Sequence, residues 1–458
     1  MIYKNIHIEK GVLKKLNTCR NRSGAVCNAP FVAMSVGYDA QVSPCCYTLQ
    51  KDGVTGAAYY HTETLQEIWH GQVFANYRRM MKDRSLPPSC RLCREKLEAG
   101  DFRGVKIREF DHLRESVVGP KLIELNIENT CNLECIMCNT VNSSGIARKH
   151  GIAARVPDAA DVLRQLSAFL PVVEEMIFSG GEPFLSVTYQ RIWEELIQIN
   201  PDCRITVNTN ATVINSKTLA LLEKGRFQFN VSLDSVQKVT YEKIRVNSRF
   251  ETFFNNLELL LDYSRRKNVP LAAPVCPLVL NYTELPEILD FCNCKGIYLN
   301  FLHVFGAYKY ALQSAPPETL EKALAIFSSH RLPEVGDVEK HNAWQFRSLV
   351  SDTKLHLSKS LRREKLLAAV ENRSDSFQQE MVALSKHPYF DTLQLPESAR
   401  LRNNIESAFA LMPVAYQTGY VVKLFAESLH EIPTALLLRL PACEIAEIVY
   451  DVFDSGIN

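Results

Sequence analysis

Three cysteines in the segment ENTCNLECIMCN, Cys131, Cys135 and Cys138, follow the spacing C-x3-C-x2-C. Thiolates this close in sequence can ligate three irons of one 4Fe-4S cube. The fourth iron is then open to a small-molecule ligand, the arrangement of a catalytic site; a fully ligated cluster serves structure or electron transfer. A zinc site is the alternative for the same thiols. The chain carries 14 cysteines in 458 residues, and its start, MIYKNIHIEKG, has no apolar signal-peptide core. A disulfide framework is therefore not the expected use, and metal or redox chemistry is. A second set, Cys27, Cys45, Cys46, Cys90 and Cys93, lies in the first hundred residues. Cys19, Cys203, Cys276, Cys292, Cys294 and Cys443 read as small buried apolar side chains. Cys292 and Cys294 form a C-x-C pair, but in a run that reads as helix or its end.

The elements that must hold these thiols are legible as an alternation. Strands are expected at KLIELNI (121–127), VEEMIFSG (173–180), CRITVNTN (203–210), FQFNVSLD (227–234), LAAPVCPLVL (271–280) and GIYLNFLHV (296–304). Residues 158–170, 186–199, 216–225 and 250–266 between them carry apolar side chains at helical spacing. Strand–helix alternation gives a parallel sheet of right-handed βαβ units, and ligands sit at the C-terminal ends of its strands. The expected class is α/β: a partial (β/α)6 barrel over residues 120–310, a small Cys-rich module over 1–119 before it, and a mostly helical region over 311–458. The Cys131 cluster falls just past the first barrel strand, where the barrel opens. The basic run Lys359–Lys365 reads as a solvated helix face.

Polar residues recur at the other strand ends. Ser179-Gly180-Gly181-Glu182-Pro183 closes the second strand, Asn208 and Asn210 the third, and Ser232 and Asp234 the fourth, with Arg245 shortly after. Together with C-x3-C-x2-C, this set resembles the radical SAM superfamily. The resemblance implies that Cys131, Cys135 and Cys138 hold a 4Fe-4S cluster whose open iron binds S-adenosyl-L-methionine (SAM). It implies that Gly180, Gly181, Glu182 and Pro183 engage the methionine amino group. Asn208, Asn210, Ser232, Asp234 and Arg245 would hold ribose and carboxylate, an arginine fork suiting the carboxylate. One departure is Met137, where the family often has an aromatic residue. Taken singly, Asn208, Ser232 and Asp234 also suit capping or core roles.

The upstream cysteines resemble the cluster-binding module of SPASM and twitch proteins, placed before the barrel instead of after it. On that resemblance Cys27, Cys45, Cys90 and Cys93 close one auxiliary 4Fe-4S cluster, and Cys46 stays ambiguous. Ala40 stands where the family has a turn glycine. A zinc ribbon would use the same four thiolates. Residues 64–81 between the pairs read as a helix packed over the cluster, with His61 and His70 at the surface.

The resemblance implies that one electron cleaves SAM to methionine and a 5′-deoxyadenosyl radical, which abstracts hydrogen from an unactivated C–H bond. The auxiliary cluster then takes an electron from the product radical or positions substrate. The expected function is oxidative modification of a peptide, a dehydrogenation or crosslink; dehydrogenation of a sugar or aminocyclitol is the alternative. A non-catalytic iron–sulfur binding or redox-sensing protein is the reading from another class. An electron donor such as flavodoxin or ferredoxin is implied. With 52 basic and 51 acidic residues the chain has a net charge of +1, so no global field favours nucleic acid or an anionic membrane. No apolar run reaches the roughly 18 residues of a membrane span, and a cytoplasmic location is expected. His303, at the end of the sixth strand, reads as a core or supporting histidine.

Overall fold

The computed structural model describes residues 24–48, 57–98, 105–149, 151–304, 309–370, 377–387 and 395–411, with isolated positions elsewhere. Cys19, Cys443 and most of residues 412–458 of the expected helical region lie outside the described residues. The chain divides into two compact units. The first comprises Met1–Asn132, Thr140–Val231 and Thr252–Pro270. The second comprises Leu133–Asn139, Ser232–Glu251 and Leu271–Asn458.

In the first unit, the upstream module supplies β1 (Ile6–His7), β2 (Ala33–Val36), β3 (Gln41–Ser43), β4 (Ala58–Tyr59) and β5 (Ser85–Leu86). The barrel strands are β6 (Leu122–Leu125), β7 (Glu175–Phe178), β8 (Arg204–Thr209) and β9 (Arg226–Val231). They run in the order β9-β8-β7-β6-β2-β3-β4. β6 to β9 are mutually parallel, and β2 joins them parallel to β6, with Ala33 opposite Leu122 and Val36 opposite Leu125. The module is thus hydrogen-bonded to the strand that leads to Cys131. Behind β7–β9 the helix Val187–Ile199 buries Trp193, which meets Phe178 and Phe227 edge-on at centroid distances of 5.4 and 5.5 Å. Such pairs add about 0.5–1.5 kcal/mol each beyond the area they bury.

The helix expected over 64–81 is two helices, Leu65–His70 and Gln72–Lys82, meeting at Gly71. Thr64 caps the first with a reciprocal Glu67 bond. A Cβ at Gly71 would lie 2.8 Å from the Glu67 carbonyl oxygen, so the junction needs glycine.

In the second unit, β10 (Leu271–Val275) pairs in parallel with β11 (Tyr298–Phe301), completing six β/α units in chain order. The helix Leu285–Lys295 ends on Gly296 in the left-handed region (φ 73°). The helices Pro317–Ser329, Asp337–Val370, Phe377–Ser385 and Leu395–Leu411 make the C-terminal region helical. Buried Asn342 accepts the Leu299 N–H at 2.7 Å and donates to the Ile297 carbonyl at 2.9 Å. The long helix thereby satisfies backbone groups along β11. Among the described residues, no helix is long and apolar enough to cross a membrane.

Candidate metal centre and active site

In the first unit, two backbone segments lie against each other beside Cys131. Gly181 N–H donates to the Glu128 carbonyl at 3.1 Å, and Glu182 N–H to the Thr130 carbonyl at 2.7 Å. A Cβ at Gly180 (φ 115°) would sit 2.5 Å from the Glu128 carbonyl oxygen, and one at Gly181 2.0 Å from that of Thr130. The glycines are required by the approach of the residues 128–130 backbone. Pro183 opens a 3-10 turn that the Glu182 carboxylate caps through Phe184 N–H. That carboxylate is 1% exposed and also accepts Thr209 Oγ1 and Asn210 N–H, each at 2.7 Å. Asn210 Nδ2 in turn donates to Cys131 Sγ at 3.9 Å and Asn132 Oδ1 at 3.1 Å. Cys131 N–H is held by Ser144 Oγ at 3.1 Å. Asn208 accepts from Asn230 Nδ2 at 2.7 Å across β8 and β9.

In the second unit, Glu134 and Ile136 donate backbone N–H groups to Val246 and Ile244, each at 3.0 Å, so the thiol loop pairs with the segment carrying Arg245. Asp234 is fully buried and left-handed (φ 48°). Its Oδ1 accepts Cys276 N–H at 2.7 Å, its Oδ2 accepts Arg245 Nε at 2.7 Å and also Nη2, and its carbonyl accepts Asn281 Nδ2 at 2.7 Å. Arg245 Nη1 donates to Cys135 Sγ at 3.7 Å. Burial pushes the Cys135 thiol up, opposed by the Arg245 guanidinium. Burial alone would lower Arg245, yet Asp234 and Cys135 hold it well above its usual value. Ser232 lies half-buried just past β9.

The module's cysteines gather in one core of the first unit. Cys27, Cys45 and Cys93 are buried there with Phe31, Tyr77 and Ile107, and Cys46 and Cys90 pack against it. Cys27 Sγ accepts Ala29 N–H at 3.4 Å. The Cys93 thiol receives N–H groups of Ile107 and Lys106, although burial still pushes it up. A set of buried thiols with backbone donors to sulfur suits an iron–sulfur cluster. Among the described residues, no three His, Cys, Asp or Glu side chains converge as a single metal ion requires. A cube takes one thiolate per iron, so its ligands stand apart.

Three residues near these thiols escaped the sequence reading. Lys106 carries charge beside Cys45 and Cys46, and Glu124 beside Cys46. Cys276, read as a bystander, shares the electrostatic surroundings of Cys135 and Cys138; its one sequence signal is its place just past the fifth barrel strand. Of the other cysteines, Cys292 is buried and Cys294 exposed on one helix, so they do not form a chelating pair. Burial pushes Cys203 up to about 12. His303 is exposed and accepts from Gln313 Nε2 at 2.9 Å.

Parallel β/α units with a thiol loop past the first strand, joined to a thiol-rich module, define an iron–sulfur protein of the β/α-barrel class. Residues 125–292 match the family described as the Radical SAM superfamily, and residues 27–94 match the iron–sulfur cluster-binding domain SPASM. The central domain of this chain belongs to the radical SAM superfamily, with the SPASM domain before it. These are the domains that bind SAM on a 4Fe-4S cluster and hold auxiliary iron–sulfur clusters. Among curated relatives, the probable GTP 3′,8-cyclase of Methanocella arvoryzae is 25% identical over 213 residues, 44% of this chain and 65% of that protein. The probable GTP 3′,8-cyclase of Methanocaldococcus jannaschii is 25% identical over 207 residues, 44% of this chain and 66% of that protein. The chain thus spans just under two thirds of the length of these two relatives. Among solved structures, Streptococcus suis SuiB bound to precursor peptide SuiA is 15% identical, covers 54% of this chain and 60% of that one, and has a TM-score of 0.34.

Proposed function

We propose that the chain is a radical SAM enzyme that reductively cleaves SAM and oxidatively modifies a peptide. The observation that supports this most is the bracing of the thiol loop from barrel strand ends. Glu182 past β7 holds Asn210 past β8, which reaches Cys131. In the second unit Asp234 holds Arg245, which reaches Cys135. Cys131, Cys135 and Cys138 would ligate the SAM cluster, and Cys27, Cys45, Cys90 and Cys93 an auxiliary one. When bound, SAM supplies a 5′-deoxyadenosyl radical that abstracts hydrogen from substrate. Both Glu182 oxygens are engaged internally. Its part would therefore be to fix Gly180, Gly181 and Pro183, whose backbone would hold the methionine amino group. Arg245 is likewise committed to Asp234 and Cys135, where it offsets thiolate charge. Asn208 and Ser232, at the ends of β8 and β9, remain for ribose and carboxylate.

Cys27, Cys45, Cys90 and Cys93 would hold an auxiliary cluster that could accept an electron from the product radical, which would make the net change oxidative, with a flavodoxin or ferredoxin as first donor. The near-neutral charge fits a peptide. A second reading, a guanine nucleotide substrate, is favoured by the relatives' name, GTP 3′,8-cyclase. Reconstituted protein should hold about eight irons, two cubes of four. With dithionite and SAM it should release 5′-deoxyadenosine, and Cys135→Ala should abolish release; an active Cys135→Ala variant sinks the proposal. Release stimulated by GTP and not by any peptide from a neighbouring gene would move the substrate to the second reading.

A further inference from the structure

One part-buried lysine stands among the module's thiols. Lys106 opens the 3-10 helix Lys106–Phe110 with its side chain 16% exposed. Its Nζ donates to Glu109 Oε2 at 2.7 Å and lies 5.5 Å from the Tyr47 ring centroid. Its charge interacts with Cys46, Glu109, Glu124 and Cys45. Its backbone N–H and that of Ile107 are directed at Cys93. One residue therefore brings an ammonium to Cys45 and Cys46 and an amide to Cys93. Both Glu109 and Glu124 come from outside the cysteine motif, and Glu124 is held by Ser35 Oγ at 2.9 Å across β2 and β6. The lysine is thus held by Glu109 of its own helix, and the Glu124 carboxylate of a barrel strand adds to the field around it.

Reduction adds negative charge to an iron–sulfur cluster, and nearby positive charge and hydrogen bonds to sulfur favour the reduced form. Burial strengthens this effect, because little water screens it. We propose that Lys106 is a positioning residue that raises the reduction potential of the auxiliary cluster and so suits it to accept an electron. This rests on the reading that Cys27, Cys45, Cys90 and Cys93 ligate that cluster.

The test uses the full chain with Cys131, Cys135 and Cys138 all changed to Ala, so that bound iron belongs to the module alone. The reduced cluster is followed by EPR through a redox titration. At the potential that half-reduces the parent, Lys106→Met should lower the reduced-to-oxidised ratio about tenfold, equivalent to about 59 mV for one electron. Lys106→Arg should restore most of it. An unchanged midpoint with full iron content overturns the role of Lys106 and leaves the ligand set intact. A parent that takes up no iron overturns the ligand set and the role of Lys106 with it. Should Lys106→Met alone fail to load iron, Glu109→Gln reads the same field with the lysine kept. Removing that anion must raise the midpoint, and no change or a fall overturns the proposal.

Discussion

Gly181 carries a tight steric constraint beside the thiol loop. The carbonyl of Thr130, the residue before Cys131, occupies the space a side chain would need. Gly181→Ala must push the Glu182 segment away from that loop, and the Glu182–Asn210–Cys131 brace moves with it. A displacement of about 1 Å at a reacting centre costs roughly a hundredfold in rate. The expected outcome is a hundredfold loss of 5′-deoxyadenosine release with iron content retained; full activity in the variant would refute the steric account. The motif was legible because glycine pairs followed by a carboxylate are conspicuous in sequence. What the glycines face was not, since it depends on how residues 128–130 fold back against 180–182. Lys106 was illegible for a similar reason. It is one basic residue among 52, and only its fold neighbours distinguish it.

Elements were more legible than their breaks. Five of the six barrel strands fall inside the expected apolar runs and β9 begins one residue ahead of its run, at Arg226, because buried parallel strands are rich in apolar residues. Gly71 interrupts a helical pattern that apolar spacing alone would continue. The β2–β3 hairpin shows how a missing glycine is accommodated. Ala40 takes the left-handed conformation itself (φ 70°), with its N–H bonded to the Gly37 carbonyl at 3.0 Å and Asp39 accepting Gln41 N–H at 3.1 Å. A left-handed non-glycine residue costs roughly 1–2 kcal/mol, partly offset by the greater chain entropy that glycine loses on folding. Ala40→Gly should therefore stabilise the protein by about 0.5–1 kcal/mol. Anaerobic guanidinium denaturation reads this as a higher midpoint, and a lower one would show that the Ala40 methyl matters more than the turn.

At the scale of the whole molecule, an ion cluster in the first unit sets a pH dependence. Glu175 at the start of β7 accepts from both His112 and Arg204. The hydrogen bond to Glu175 raises His112 above its ordinary 6.5, and His112 with Arg204 holds Glu175 below 4.5 despite burial. A raised histidine contributes fully below its unfolded value and loses that contribution as pH climbs through the folded one. The lowered carboxyl does the reverse, losing its part on acidification through its folded value. Thermal stability should fall as pH rises above 6.5, and His112→Gln should flatten that slope; an equal slope in the variant would rule out His112 as its source. The sequence could not reveal this cluster, whose members come from three segments that only the sheet brings together.

The parallel pairing of β2 with β6 has a consequence for the order in which the chain is made. Ser35 leaves the ribosome 89 residues before its partner Glu124. At about 5–20 residues per second, β2 waits roughly 4 to 18 s with one backbone edge unpaired. Its four side chains are all buried in the finished fold, so this interval exposes a strand suited to wrong pairing. The nascent module therefore has a window in which a chaperone or slower growth governs the yield of correctly assembled protein.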